Sequence, residues 1–116
     1  RSGLDEVANR FGADAVRSSS AWVGPCIGGG NYPRTMEEWT ARGLEAFRAE
    51  NVCEMEGHFY FDIAGEIRLQ LMESGIDQDR IFVSCLDTFE RREVCYSYRG
   101  GDREDRMFLH ARLRPV

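Results

Sequence analysis

The chain has 116 residues, of which 42% are hydrophobic and 30% charged, and a net charge of −5; this is too apolar and aromatic for a disordered polypeptide, and the length permits one domain that buries roughly two thirds of its unfolded surface. The acidic balance argues against binding a nucleic-acid backbone, although a local arginine cluster could still hold one small anion. No run approaches the roughly 18 consecutive apolar residues that a membrane span needs, and no cationic leader precedes an apolar core, so a cytoplasmic location without a membrane partner is expected.

Leu4, Val7, Ala8 and Phe11 fall on helical spacing and predict a helix from Leu4 to Phe11, ended by Gly12. Because that spacing is already under way at Leu4, the numbered start is expected to fall inside a larger protein. Ala21, Trp22 and Val23 form a short apolar run that reads as a buried strand. It leads into Gly24, Pro25, Cys26, Ile27 and then Gly28, Gly29 and Gly30, a backbone free to adopt positive φ and to approach a ligand or another segment closely. Thr35 and Glu38 fit a capping box, and with Met36, Trp39, Leu44 and Phe47 as an apolar stripe they predict a second helix from Met36 to Ala49.

Phe59, Tyr60 and Phe61 predict a short strand, followed by Asp62 as N-cap of a third helix whose Ile63, Ile67 and Leu71 share one face before Gly75. Arg80 to Cys85, Glu93 to Tyr98 and Met107 to Leu113 alternate apolar and polar residues and predict three late strands. In the last of these, Met107, Leu109, Ala111 and Leu113 share one side, and Phe108, His110 and Arg112 the other. The predicted order α-β-α-β-α-β-β-β, without internal repeat or linker, describes one mixed α/β unit over residues 1–116, or part of one.

The residues with chemical potential are few. Cys26, Cys53, Cys85 and Cys95 stand far apart, without a C-x-x-C pair, and read as reduced, partly buried thiols rather than a disulfide framework. With His58 and His110 they supply no ligand pair at short motif spacing, so no metal ligand is assigned within the chain. A cysteine nucleophile would need a histidine base beside it, and spacing does not select one. Gly28 and Gly29 could cradle phosphate through backbone N–H groups or simply make a tight turn; the segment lacks the G-K-[ST] ending of a P-loop. Arg99 and Arg106 flank a polar loop, where two guanidinium forks could converge on an oxyanion or pair instead with Asp102, Glu104 and Asp105. Tyr32, Tyr96 and Tyr98 could stack on a purine or serve as half-buried packing.

Three segments in order carry a family resemblance: Gly24-Pro25-Cys26-Ile27-Gly28 with Asn31-Tyr32 beyond, Asp62-Ile63 opening a helix with Arg68, Gln70 and Leu71, and Tyr96-Ser97-Tyr98-Arg99 followed by Asp105-Arg106. They resemble the G-P-x-I-G…C-Y, D-L…N-R-x-Q-L and F-F-S-Y-R-R…G-R patterns of the YfiH-like, laccase-domain family of purine nucleoside phosphorylases, in its C-terminal region. The chain departs from that pattern at Asp87-Thr88, where Cys-Thr is usual, at Gly100 in place of a second arginine, and at Asp105 in place of glycine.

The resemblance implies a YfiH-like mixed sheet flanked by helices, of which this chain is part, and phosphorolysis of adenosine- or inosine-type nucleosides around zinc or copper, with a related deaminase activity. It also implies that two histidines and a cysteine from preceding segments hold the metal, leaving Arg99, Arg106, Gly28, Gly29, Tyr32 and Tyr98 here as substrate- or phosphate-binding candidates. The family's older name is laccase, but a multicopper oxidase needs many imidazoles and this chain has only His58 and His110. The alternative is a stand-alone, non-catalytic module that buries an uncovered sheet face against a second copy or a protein partner.

Overall fold

A computed structural model describes residues 2–112 and 114 of the chain. Helix α1 (Ser2–Phe11) ends at Gly12, whose φ of 87° only glycine adopts readily, and a short helix α2 (Ala13–Ser18) that the apolar spacing did not announce follows at once. Strand β1 (Ala21–Val23) pairs in parallel with β5 (Ile81–Val83), Trp22 standing opposite Phe82. Helix α4 (Ile63–Glu73) contacts both strands. On the outer side Trp22 is 79% exposed and its ring centroid lies 5.6 Å from that of Phe82. The expected buried strand therefore forms but is covered on one face only, whereas parallel sheets are normally enclosed on both.

The second sheet is antiparallel, with β4 (His58–Phe61) between β2 (Pro33–Arg34) and β3 (Val52–Met55). β3 and β4 are joined through Glu56 and Gly57, both at positive φ, as a tight two-residue hairpin requires. Neither β2 nor β3 was predicted, because Pro33 argues against a strand interior and Val52–Met55 carries only two aliphatic side chains.

Phe61 is fully buried and takes the edges of Trp39 and Phe47 at 5.3 and 5.1 Å. Helix α3 (Glu38–Ala46), whose buried residues are Thr40 and Gly43, meets it at Gly43. A methyl group at Gly43 would sit 2.9 Å from Cε1 of Phe61. Gly43→Ala is therefore expected to cost about 1–3 kcal/mol through overpacking, read as a lower urea midpoint at unchanged slope; an unmoved midpoint would mean that the ring yields freely.

Several expectations are corrected. The capping box does not form: α3 starts at Glu38 behind Glu37, which makes no side-chain cap because its carboxylate pairs with Arg34, while Thr35 offers its carbonyl to the Thr40 hydroxyl at 2.6 Å. The stripe Met36, Trp39 and Leu44 is largely exposed, and the helix stops before Phe47, whose extended backbone carries its ring to Phe61. Residues 93–98 form turns, with Cys95 and Ser97 inward and Val94, Tyr96 and Tyr98 outward. Burial alternates there as a strand would demand, but no neighbouring strand supplies a ladder. Residues 107–112 have no regular structure, and Leu113 lies outside the described residues.

The buried hydrophobic side chains among the described residues are Val16, Phe61, Ile76 and Cys95, of which Phe61 alone is fully enclosed. So small a core agrees with a radius of gyration of 16.4 Å, against about 13 Å for a compact domain of this length. No described helix is long and apolar enough to cross a membrane.

Candidate functional site

The glycine-rich segment leaves the C-terminal end of β1 and runs beside the segment that leaves β5. Ser84 donates its amide to the Val23 carbonyl at 2.9 Å, Thr88 donates to Cys26 at 3.0 Å, and Cys26 and Asp87 form an isolated parallel bridge. Gly29–Asn31 then turns as a single 3₁₀ element. None of Gly24, Gly28, Gly29 and Gly30 takes positive φ, so the expectation of special dihedrals is corrected. Of these, Gly28 needs the missing side chain, since a Cβ there would lie 2.2 Å from Oδ2 of Asp87, whereas one on Gly29 would make an ordinary 3.4 Å contact with Cα of Asp62 and Gly24 and Gly30 face open space.

Asp87 holds this turn. Its carboxylate accepts from Nδ2 of Asn31 at 2.8 Å and from the amide of Phe89 at 2.8 Å, with the amides of Gly28 and Glu90 also donating. Burial pushes its carboxyl up, but these donors outweigh it and hold the group below its usual range. The Asp87 carboxylate stands directly against Gly28, so an internal anion already occupies the place beside this turn that a bound phosphate would need. Cys26 is affected in the opposite sense. Burial first, then the Asp62 and Asp87 carboxylates, raises its thiol above the ordinary value against a hydrogen bond from the Ala64 backbone, so it stays protonated at neutral pH and is a poor nucleophile.

Beside the turn lies a cavity of about 330 Å3, lined by Gly29, Gly30, Glu50, Asn51, Val52, Cys53, Met55, Tyr60 and Asp62. Asp62 reaches it from the start of α4, where its side chain caps the helix by accepting from the Gly65 amide at 2.9 Å. Behind it, Asn51 and Glu66 form a buried tie: Glu66 accepts from the Arg48 amide at 3.1 Å, Asn51 at 2.8 Å and Gln70 at 3.1 Å, and pairs with the Arg48 guanidinium. Burial raises the Glu66 carboxyl and these partners lower it further, for a net depression. Sequence reasoning missed Asn51 and Glu66 and marked Asp87 only as a departure from the family pattern, because buried polar partners far apart in the chain leave no periodic signal.

The remaining candidates fall into two separate groups. Tyr32 lies under the Arg99 guanidinium at 4.7 Å and edge-on to Trp39 at 5.8 Å, and Arg34 covers Trp39 at 4.9 Å. Tyr98 instead lies beneath Arg103 at 4.2 Å and Arg106 at 5.8 Å, and Arg106 donates to the carbonyls of Arg103 and Asp105. Arg99 and Arg106 hence share no partner, and Asp102 is committed to the Ser97 amide and Arg92.

A family model described as multi-copper polyphenol oxidoreductase laccase matches residues 1–112. The chain belongs to this family. No curated protein matches it. The mixed architecture, parallel and antiparallel sheets with helices, is the class expected from the sequence. Among the described residues of this laccase-family chain, no three His, Cys, Asp or Glu side chains are grouped as a metal ion would require. Cys53 and Cys85 are exposed, Cys95 is buried, His58 opens β4 with Nδ1 3.2 Å from the Glu56 carbonyl, and His110 is exposed. The donor set among the described residues does not fit a zinc or copper centre.

Proposed function

We propose that the chain forms one wall of the nucleoside pocket in a phosphorylase-like protein of this family, acting on adenosine- or inosine-type purine nucleosides, with metal ligands supplied from outside residues 1–116. The cavity of about 330 Å3 carries this reading, since it lies at the lower end of the roughly 300–1,000 Å3 that small-molecule sites occupy. Val52, Met55 and Tyr60 offer apolar and aromatic surface to a base, while Glu50 and Asp62 offer acceptors suited to ribose hydroxyls. The family description names polyphenol oxidation by several coppers, a chemistry that needs more imidazoles than His58 and His110 can supply. A Cys26 nucleophile is disfavoured because its thiol stays protonated.

The role assigned to this chain is to bind and orient. A longer protein carrying the metal ligands is expected to release hypoxanthine from inosine only when phosphate is present, and residues 1–116 alone to release none. Base release by the chain alone in a chelator, or none from the longer protein loaded with zinc or copper, would overturn the assignment.

A second reading, a stand-alone module that self-associates, is favoured by one observation. The accessible surface of 8787 Å2 is roughly 2,300 Å2 more than a compact monomer of this size exposes, and Trp22, Phe82 and Leu109 line one uncovered groove. A metal-free dimer in light scattering supports this reading, and a monomer at every concentration removes it.

A further inference from the structure

At the end of the β2–β4 pair lies a recess of about 260 Å3 whose charged lining is Arg34, Glu37, His58 and Arg99. Its three basic residues come from positions far apart in an acidic chain, and three separate structural features bring them together. Arg34 is on β2, His58 opens β4, and Arg99 sits in a turn closed by the Gly101 amide on the Tyr98 carbonyl at 3.2 Å, from which its Nη1 reaches the Pro33 carbonyl at 3.4 Å. Both guanidinium carbons stand over aromatic rings, that of Arg99 4.7 Å from the centroid of Tyr32 and that of Arg34 4.9 Å from the centroid of Trp39. These cation–π contacts hold both cations at the recess, where guanidinium N–H groups are donors suited to an oxyanion.

One of those edges is incomplete. Nη2 of Arg34 is taken by Glu37, but its Nε is buried and has no acceptor among the described residues. His58 has Nδ1 beside the Glu56 carbonyl, which leaves Nε2 for a ligand. The recess is large enough for a tetrahedral anion, and its charged lining suits one. The glycine turn, by contrast, already faces the carboxylate of Asp87, which lies against Gly28 and accepts from Asn31.

We infer that Arg34, Arg99 and His58 form a phosphate-binding subsite, and, resting on the phosphorolytic reading above, that it holds the phosphate cosubstrate. His58 and Tyr60 are two residues apart on β4 and point to the same face of the sheet, which separates recess and cavity by roughly 7 Å along the strand.

Titration of the 116-residue chain with inorganic phosphate at fixed ionic strength, followed by calorimetry and by 31P line width, tests the site. One saturable site is expected, at least about tenfold weaker in both Arg34→Gln and Arg99→Gln and tighter in Glu37→Gln, which removes the competing carboxylate. A gain of affinity cannot come from misfolding, so the Glu37 variant keeps the test decisive if either arginine variant unfolds. Non-saturable binding, or equal affinity in all variants, overturns the subsite. Ribose 5-phosphate in place of phosphate distinguishes a sugar-phosphate site from one for the free ion; tighter binding of the sugar phosphate would overturn the cosubstrate role. Phosphate binding by the chain with no phosphorolysis by the longer protein would sink the functional reading and leave the subsite standing, whereas phosphorolysis whose KM for phosphate is unmoved by Arg34→Gln would sink the subsite alone.

Discussion

Replacing Glu66 with alanine is expected to cost about 3–5 kcal/mol, a loss comparable with the whole stability of a small domain. The carboxylate is buried in the interior and gathers the Arg48 amide and guanidinium, Asn51 and Gln70 onto one group. Its removal strands the Asn51 amide, itself enclosed, and unties the α3–β3 connection from α4. Glu66→Gln keeps the shape and loses the charge, so it should fall between wild type and alanine in urea unfolding.

The pH dependence has a definite sign. The folded-state pKa of Glu66 is depressed, so its contribution is fully present above the ordinary value of 4.5 and is lost as pH falls through the lower folded value. Asp87 acts in the same direction from its ordinary value of 3.8. Stability should therefore fall steeply on acidification, and Glu66→Gln should flatten that limb. An acid limb unchanged in the variant would mean that the ion pair contributes nothing to folding.

Asp87→Cys, which restores the residue usual at this place in the resembling family pattern, is expected to destabilise the chain by about 2–3 kcal/mol and to lower Tm by roughly 10 °C. The thiol cannot replace a carboxylate that accepts from Asn31 and from the amides of Phe89, Gly28 and Glu90. Faster hydrogen exchange should be confined to the Gly28 amide and its neighbours, because the turn loses its anchor while the β1–β5 ladder does not. Exchange that rises uniformly over the chain would show that Asp87 supports the whole fold rather than this turn. If cysteine is tolerated without loss, the turn is held by its backbone alone.

Features encoded by local chemistry were legible in advance. Gly12 ends α1, Asp62 caps α4, Gly75 at φ 99° closes it, and Phe59–Phe61 lies within β4. Each follows from a dihedral preference, a single side-chain bond or an apolar run. Features decided by distant partners were not legible. Thr35 and Glu38 have the spacing of a capping box, but Glu37 is drawn to Arg34 and the first turn begins later. Tyr96 and Tyr98 alternate with buried neighbours yet meet no strand, since alternation specifies which side chains face inward and says nothing about what the backbone finds beside it. At the site the sequence pointed to Gly28, Gly29, Tyr32 and Arg99 individually. That Asp87 would close the glycine turn, or that Arg34 and His58 would join Arg99, depends on contacts spanning dozens of residues.

The two tryptophans differ in exposure, with Trp22 79% exposed on the bare face of the parallel pair and Trp39 41% exposed, edge-on to Phe61 beneath the Arg34 guanidinium. A soluble quencher is expected to reach the first indole more readily than the second, and single-tryptophan variants separate their emission. In a Trp39→Phe background, a blue shift and protection of the remaining indole on adding a longer protein segment, a partner or more of the chain itself would report that the face of β1 and β5 has been covered. In a Trp22→Phe background, emission would follow the ring cluster at Phe61 as it comes apart. The molecule thus carries one optical reporter of association and another of unfolding, each obtained by a single substitution.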